Sequence, residues 1–143
     1  MIHVKKILYP TDFSTYSNQA YFHALGLAET YKASLTVVFV HTPGGSSDRE
    51  YWRGQLEQVR PGNPKISVSH VLLEGDPATE IVRYAADAGI DVVVIGTHGR
   101  TGVDRLVMGS VAERVMREAH CSVLVVKLPK GVTAPEKPHA AKV

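Results

Sequence analysis

The chain is short of most features that would stabilise it covalently or send it elsewhere. A single cysteine, Cys121, stands among 143 residues. No internal disulfide can form, and nothing calls for an oxidising compartment. No apolar run approaches the roughly 20 residues that span a bilayer. After Lys5 and Lys6 only Ile7, Leu8 and Tyr9 precede Pro10, too few for the core of a secretory signal. A cytoplasmic protein without a membrane role is expected.

Clustered positive charge is also missing. The formal net charge is +2, and Lys130, Lys137 and Lys142 set against Glu136 account for all of it. The rest of the chain is formally neutral, without the basic stripe that phosphate-backbone binding needs. Trp52 and the tyrosines do not interleave with basic residues as a single-strand binder would require. No nucleic-acid partner is expected. The histidines (His3, His23, His41, His70, His98, His120 and His139) are scattered, with no pair at ligand spacing to a cysteine or carboxylate. They read as surface or edge residues, except His98, which lies in a glycine-rich loop. Cys121 precedes an apolar run and reads as a packed thiol.

What remains is the balance of a globular domain, 44% hydrophobic and 21% charged. The length suits one domain, placed at residues 1–128, followed by a Pro/Lys/Ala tail over 129–143 that has no periodicity and is expected to be disordered. Five apolar, β-branched runs predict strands at residues 4–9, 35–40, 66–73, 92–95 and 123–126. Between them, three-and-four spacings predict helices over 17–31, 77–88 and 110–119. The second of these has Asp76 as N-cap, Pro77 at the first helical position and Gly89 as its stop. The third opens S-V-A-E, with Ser110 and Glu113 in the pattern of a capping box. Residues 42–64 read as a mobile loop and one short helix, since Gly54 interrupts the periodicity.

Strand and helix therefore alternate. The pattern predicts an α/β protein, a five-stranded parallel sheet with helices on both faces, Rossmann-like in architecture. Such sheets bind ligands beyond the carboxyl ends of the strands, where the winding reverses. That rule points to residues 9–13, 40–43 and 96–102.

The third segment is rich in glycine. Gly96, Gly99 and Gly102 follow the fourth strand, and Gly109 and Ser110 open the last helix. Glycines let the backbone approach a ligand closely, and a helix N-terminus offers free N–H groups and partial positive charge to an anion. His98 and Arg100 could add hydrogen bonds or charge. The segment lacks both the lysine of a P-loop and the spacing of the dinucleotide fingerprint. On these residues alone, turn geometry explains the glycines as well as a ligand does, and Asp12 could serve simply as a turn former for the helix that follows it.

The spacing of Gly96, two residues, Gly99, nine residues and Gly109-Ser110 resembles the ATP-binding signature of the universal stress protein family. The run V-A-E-R-V-M-R-E-A-H-C-S-V-L-V-V resembles that family's last helix and fifth strand, and K-K-I-L-Y-P-T-D-F-S its first strand and loop. The resemblance spans residues 2–128. It departs from many relatives at Ser122, where they have proline, and in a connection over residues 42–65 shorter than in some of them.

The resemblance implies a five-stranded α/β sandwich whose ATP-binding branch holds the nucleotide through Pro10, Thr11, Asp12, Val40, Gly96, His98, Gly99, Arg100, Gly109, Ser110 and Val111. Asp12 would meet the adenosine part and Val40 would meet adenine through its backbone. Gly96 and Gly99 would line ribose and phosphates, and Gly109, Ser110 and Val111 would hold the phosphates. Mg²⁺ or Mn²⁺ would arrive with the triphosphate and take no ligand from the protein alone. The implied role is a nucleotide-dependent regulator in a stress response, acting on a protein partner that the sequence does not identify.

Hydrolysis is expected to be slow or absent, since no catalytic lysine, arginine finger or evident base is present. The alternatives are a structural dimerisation module that binds no nucleotide and a slow ATPase assisted by His98 and Arg100. The fifth strand, Val123, Leu124, Val125 and Val126, would be an exposed apolar edge if terminal in the sheet. It predicts a homodimer across a two-fold axis, which is also the family's habit.

Overall fold

The computed structural model describes residues 2–42, 49–97 and 109–127. His98, Gly99, Arg100, most of the expected mobile loop and the tail from Pro129 lie outside them. The elements run β1 (Lys6–Pro10), α1 (Thr15–Tyr31), β2 (Ser34–His41), α2 (Arg49–Glu57), β3 (Val68–Glu74), α3 (Pro77–Asp87), β4 (Val92–Gly96), α4 (Ser110–Glu118) and β5 (Ser122–Val126). The strands form one sheet in the order β3-β2-β1-β4-β5, and every pairing is parallel. The expected fold class is the observed one.

Burial on both faces explains the apolar runs. In β1 and β2, Ile7, Tyr9, Leu35 and Val37 face α1, with its small stripe Ala20, Ala24 and Ala28, and Leu56 of α2. Leu8, Val38, Val93 and Ile95 face the other layer, against Ile81 and Ala85 of α3 and Ala112 and Val115 of α4. Alanines on α1 let the helix lie close to the sheet, and the aliphatic side chains of the strands fill the space between. Among the described residues no helix is long and apolar enough to cross a membrane.

Local chemistry sets the element ends. Asp76 caps α3 by accepting from the Thr79 N–H at 3.0 Å, Pro77 occupies the first turn, and Gly89 follows at φ +68°, a left-handed stop that favours glycine. Gly54 sits within α2 with open space around its Cα, so it weakens the helix by about 1 kcal/mol without breaking it. His41 departs from the surface expectation. It lies buried on the interior strand β2, its Nδ1 3.4 Å from Glu74 Oε2. Cys121 is half-buried against the α3–α4 layer, and burial raises its thiol pKa, which keeps it protonated.

From β1 the chain winds outward through β2 and β3, then crosses back to β4 and continues to β5. The reversal falls between β1 and β4. There the two neighbouring connections leave on opposite faces and open a crevice at the carboxyl edge of the sheet.

Candidate functional site

A cleft of about 320 Å³ occupies that crevice, a size suited to a small ligand. Pro10, Thr11 and Asp12 enter it from the end of β1, Val40 from β2, Gly96 from β4, and Gly109, Ser110 and Val111 from the start of α4. Eight of the eleven residues named from sequence thus line one cleft. The other three, His98, Gly99 and Arg100, lie outside the described residues.

The β1 wall is built by side chains. Pro10 has no N–H to donate, which suits the last position of a strand. Beyond it the Phe13 N–H donates to Thr11 Oγ1 at 3.0 Å and the Ser14 N–H to Asp12 Oδ1 at 2.9 Å. Asp12 is therefore a turn former, while the N-cap of α1 is Ser14, whose side chain accepts from Ser17 N–H. Beneath, the buried Tyr9 hydroxyl donates to the Ser17 carbonyl at 2.9 Å, and Thr11 Oγ1 and Ser17 Oγ lie 3.3 Å apart. Burial holds the Tyr9 phenol well above its ordinary pKa, so it remains a neutral donor. Phe13 takes φ +64°, a left-handed conformation that costs a side-chain-bearing residue about 1–3 kcal/mol.

The β2 wall offers backbone. Ser34 N–H donates to Lys5 O, and Thr11 N–H to Val38 O, while Leu35 N–H and His41 O bond on the β3 side. In a parallel sheet the N–H and C=O of one residue turn the same way, and successive residues alternate. Even-numbered residues of β2 hence face β1. The last paired residues are Pro10 and Val38, so Val40, two residues on and lining the cleft, has its backbone N–H and C=O on the β1 side beyond that pair.

The α4 wall corrects one expectation. Gly109, not Ser110, is the N-cap, at φ −62° and ψ 146°, and no side chain caps the helix. Glu113 N–H bonds back to Gly109 O at 3.0 Å, which puts Ser110 inside the first turn. The box of Ser110 and Glu113 does not form, because a serine with helical dihedrals is one position too far along to receive the third-residue amide. Glu113 instead pairs with Arg117 at 3.5 Å. The Gly109 N–H donates to Thr97 O, which fixes the start of α4 against the end of β4. The following amides, from Ser110 to Ala112, begin the helix at the cleft.

Eight further residues line the cleft, Ser17, Val38, Phe39, Pro77, Ile81, Ile95, Thr97 and Ala112, and none of them was named as a site residue from sequence. The strand-end rule directs attention to loops, whereas Pro77 and Ile81 reach the cleft only because α3 crosses back over the sheet. Arg114 of α4 holds that wall in place, donating to Asp76 Oδ2 at 2.8 Å and Thr79 Oγ1 at 3.1 Å. The Thr79 hydroxyl and backbone N–H, with Arg114, keep the Asp76 carboxyl below its usual pKa. Among the described residues no group of three or more His, Cys, Asp or Glu could hold a metal ion.

A doubly wound parallel α/β domain with its cleft at the strand reversal defines the broad class. Residues 3–127 match the universal stress protein family, and the chain belongs to that family. It is 39% identical over 142 residues to universal stress protein MJ0531 of Methanocaldococcus jannaschii, the match covering 88% of this chain and 84% of that protein. The solved structure of MJ0577, from the same organism, superimposes with a TM-score of 0.70 at 29% identity, covering 89% of this chain and 98% of the other. A universal stress protein from Archaeoglobus fulgidus, solved in complex with dAMP, superimposes at 0.66 with 22% identity, covering 89% and 100%.

Proposed function

We propose that this protein binds an adenine nucleotide, ATP with Mg²⁺ or Mn²⁺, in the cleft between β1 and β4, and acts as a nucleotide-dependent regulator in a stress response. The observation that carries the reading is the place of Val40, which lines the cleft beyond the last β1–β2 pair, so that its backbone N–H and C=O on the β1 side would meet the base. One donor beside one acceptor matches the base edge of adenine, where ring N1 accepts and the 6-amino group donates. Guanine presents the reverse, a donor at N1 and an acceptor at O6. Base identity is thus read by main chain, with Asp12 at the adenosine part.

At the opposite end, Gly109, Ser110 and Val111 would hold the phosphates on the open N-terminus of α4, where free amides and the helix dipole favour an anion. Gly96 lies between the two ends, and Gly99, His98 and Arg100 belong to the same proposed set. The Archaeoglobus relative shares the fold and its dAMP complex is in keeping with the reading, as is a further universal stress protein solved in complex with cAMP.

The acting unit is proposed to be a cytoplasmic homodimer joined through Val123, Leu124, Val125 and Val126. β5 is an edge of the sheet, and Leu124 exposes 38% of its surface there. An unpaired apolar edge favours association. A single species of monomer mass in sedimentation at tens of micromolar would remove the dimer from the account.

Thermal shift of nucleotide-stripped protein tests the binding claim. At 100 times its dissociation constant a ligand stabilises by about 2.7 kcal/mol, which for a domain of this size raises Tm by roughly 3–6 °C. Millimolar Mg-ATP should do so and Mg-GTP should not. Equal shifts with both would contradict base reading at Val40, and no shift with either would return the chain to a structural module.

A further inference from the structure

Behind the β1 wall of the cleft lies a layer of aromatic rings. Phe13 immediately follows Asp12, and its ring is 4.9 Å from Phe39 and 5.6 Å from Trp52, nearly parallel to the indole at 13°. Trp52 also stacks on Phe39, 4.8 Å away at 30°, and Tyr51 meets the indole edge-on at 4.9 Å. Phe39 and Asp12 both line the cleft. Trp52 stands on α2, whose buried residue is Leu56, and its indole is the side chain that joins this helix to Phe13 and Phe39.

A bulky residue at positive φ persists only where its surroundings hold it there. At Phe13 that support is the ring stack from one side and the bonds of Thr11 and Asp12 to the turn from the other. Fixing the Phe13 ring fixes the backbone to which Asp12 is joined.

We propose that Trp52 is a positioning residue for the adenosine end of the site: its stack on Phe13 and Phe39 holds Asp12 in place, so docking of α2 and occupancy of the cleft are coupled. This rests on the nucleotide reading above. Coupling between two sites is reciprocal. An intact stack strengthens binding, and a bound nucleotide tightens the stack.

The test uses the full chain stripped of nucleotide, with Mg-ATP and AMP as probes and calorimetry for affinity. Trp52→Ala should weaken both nucleotides by the same factor, about tenfold, within the usual range of coupling between sites. Trp52→Phe, which keeps a flat ring, should recover most of the loss. Trp52 is the sole tryptophan, so its emission is unambiguous, and acrylamide quenching of the unmutated protein should fall when Mg-ATP saturates the cleft. The quenching measurement and Trp52→Phe decide the matter if Trp52→Ala does not fold.

Unchanged affinity in folded Trp52→Ala, unchanged quenching on saturation, or a loss for ATP that spares AMP would each overturn the proposal while leaving nucleotide binding intact. Absence of any binding heat in the unmutated protein would overturn both.

Discussion

Three helices begin around the cleft at the carboxyl edge of the sheet, and they begin in two ways. α1 and α3 are closed by side chains, Ser14 in one case and Asp76 in the other, each accepting the amide three residues on. α4 starts at Gly109 with no side-chain cap. A cap satisfies one of the free amides at a helix start; a glycine in its place costs only about a few tenths of a kcal/mol and keeps the amides available. The first two starts serve the fold. The third is left open at the cleft, where the nucleotide reading would place the phosphate chain.

The contrast can be broken at Gly109. Its dihedrals are ordinary for any cap residue, so a side chain there is not excluded by the backbone. Gly109→Asp should close α4 as Asp76 closes α3, raising the Tm of the nucleotide-free protein slightly while lowering affinity for Mg-ATP by more than about 100-fold, since a carboxylate would take the amides and repel the phosphates. Gly109→Val, which fills the space without capping, should abolish binding with no gain in stability and with no change in sedimentation behaviour. Calorimetry and thermal melts read both variants, and ATP affinity equal to that of the unmutated protein in either would show that α4 is not the phosphate end.

The converse change, opening a closed start, has a smaller effect of the opposite kind. Ser14→Ala should destabilise the protein by about 1 kcal/mol, roughly 3 °C in Tm, with a modest effect on nucleotide affinity through the Asp12 turn. A loss of binding without loss of stability would mean that Ser14 belongs to the site and not to the helix.

Acid sharpens the comparison least but most cleanly. Asp76 is held below its usual pKa by Thr79 first and then Arg114. A depressed folded-state pKa contributes stability that is fully present above the unfolded value near 3.9 and is lost as pH falls through the folded value. The difference in urea midpoint between the unmutated protein and Asp76→Asn should therefore be constant near neutrality and shrink below about pH 4. Asp91, which accepts from the backbone N–H of Lys5 at 2.8 Å, is likewise held below its usual pKa and provides a control at the amino end of the sheet. A difference that stayed constant to pH 3 would remove the charged cap of α3 from the account, about a unit below the ordinary carboxylate value.

The order and type of the elements were legible because burial on both faces leaves a plain mark, runs of Val, Ile and Leu between turn residues. α3 was legible in detail, since Asp76, Pro77 and Gly89 each act locally. α4 was misread by one position because Gly109 and Ser110 are both acceptable caps, and only the sheet, through Thr97 and the start of the helix, decides between them. Phe13 gave no signal, as nothing in its neighbours announces a left-handed backbone held by a tryptophan about forty residues away. The loops of the cleft could be named from the sequence, whereas its α3 wall depends on a crossover that brings Pro77 and Ile81 over the sheet.

Amide chemical shifts during a titration with Mg-ATP bear most directly on the claim that main-chain groups at two ends of one cleft hold a nucleotide. The account predicts that the largest changes fall at Val40 and at Gly109, Ser110, Val111 and Ala112, while the first-turn amides capped by Asp76 barely move. Changes centred on α3, or none at Gly109 and Ser110 at saturating nucleotide, would contradict it.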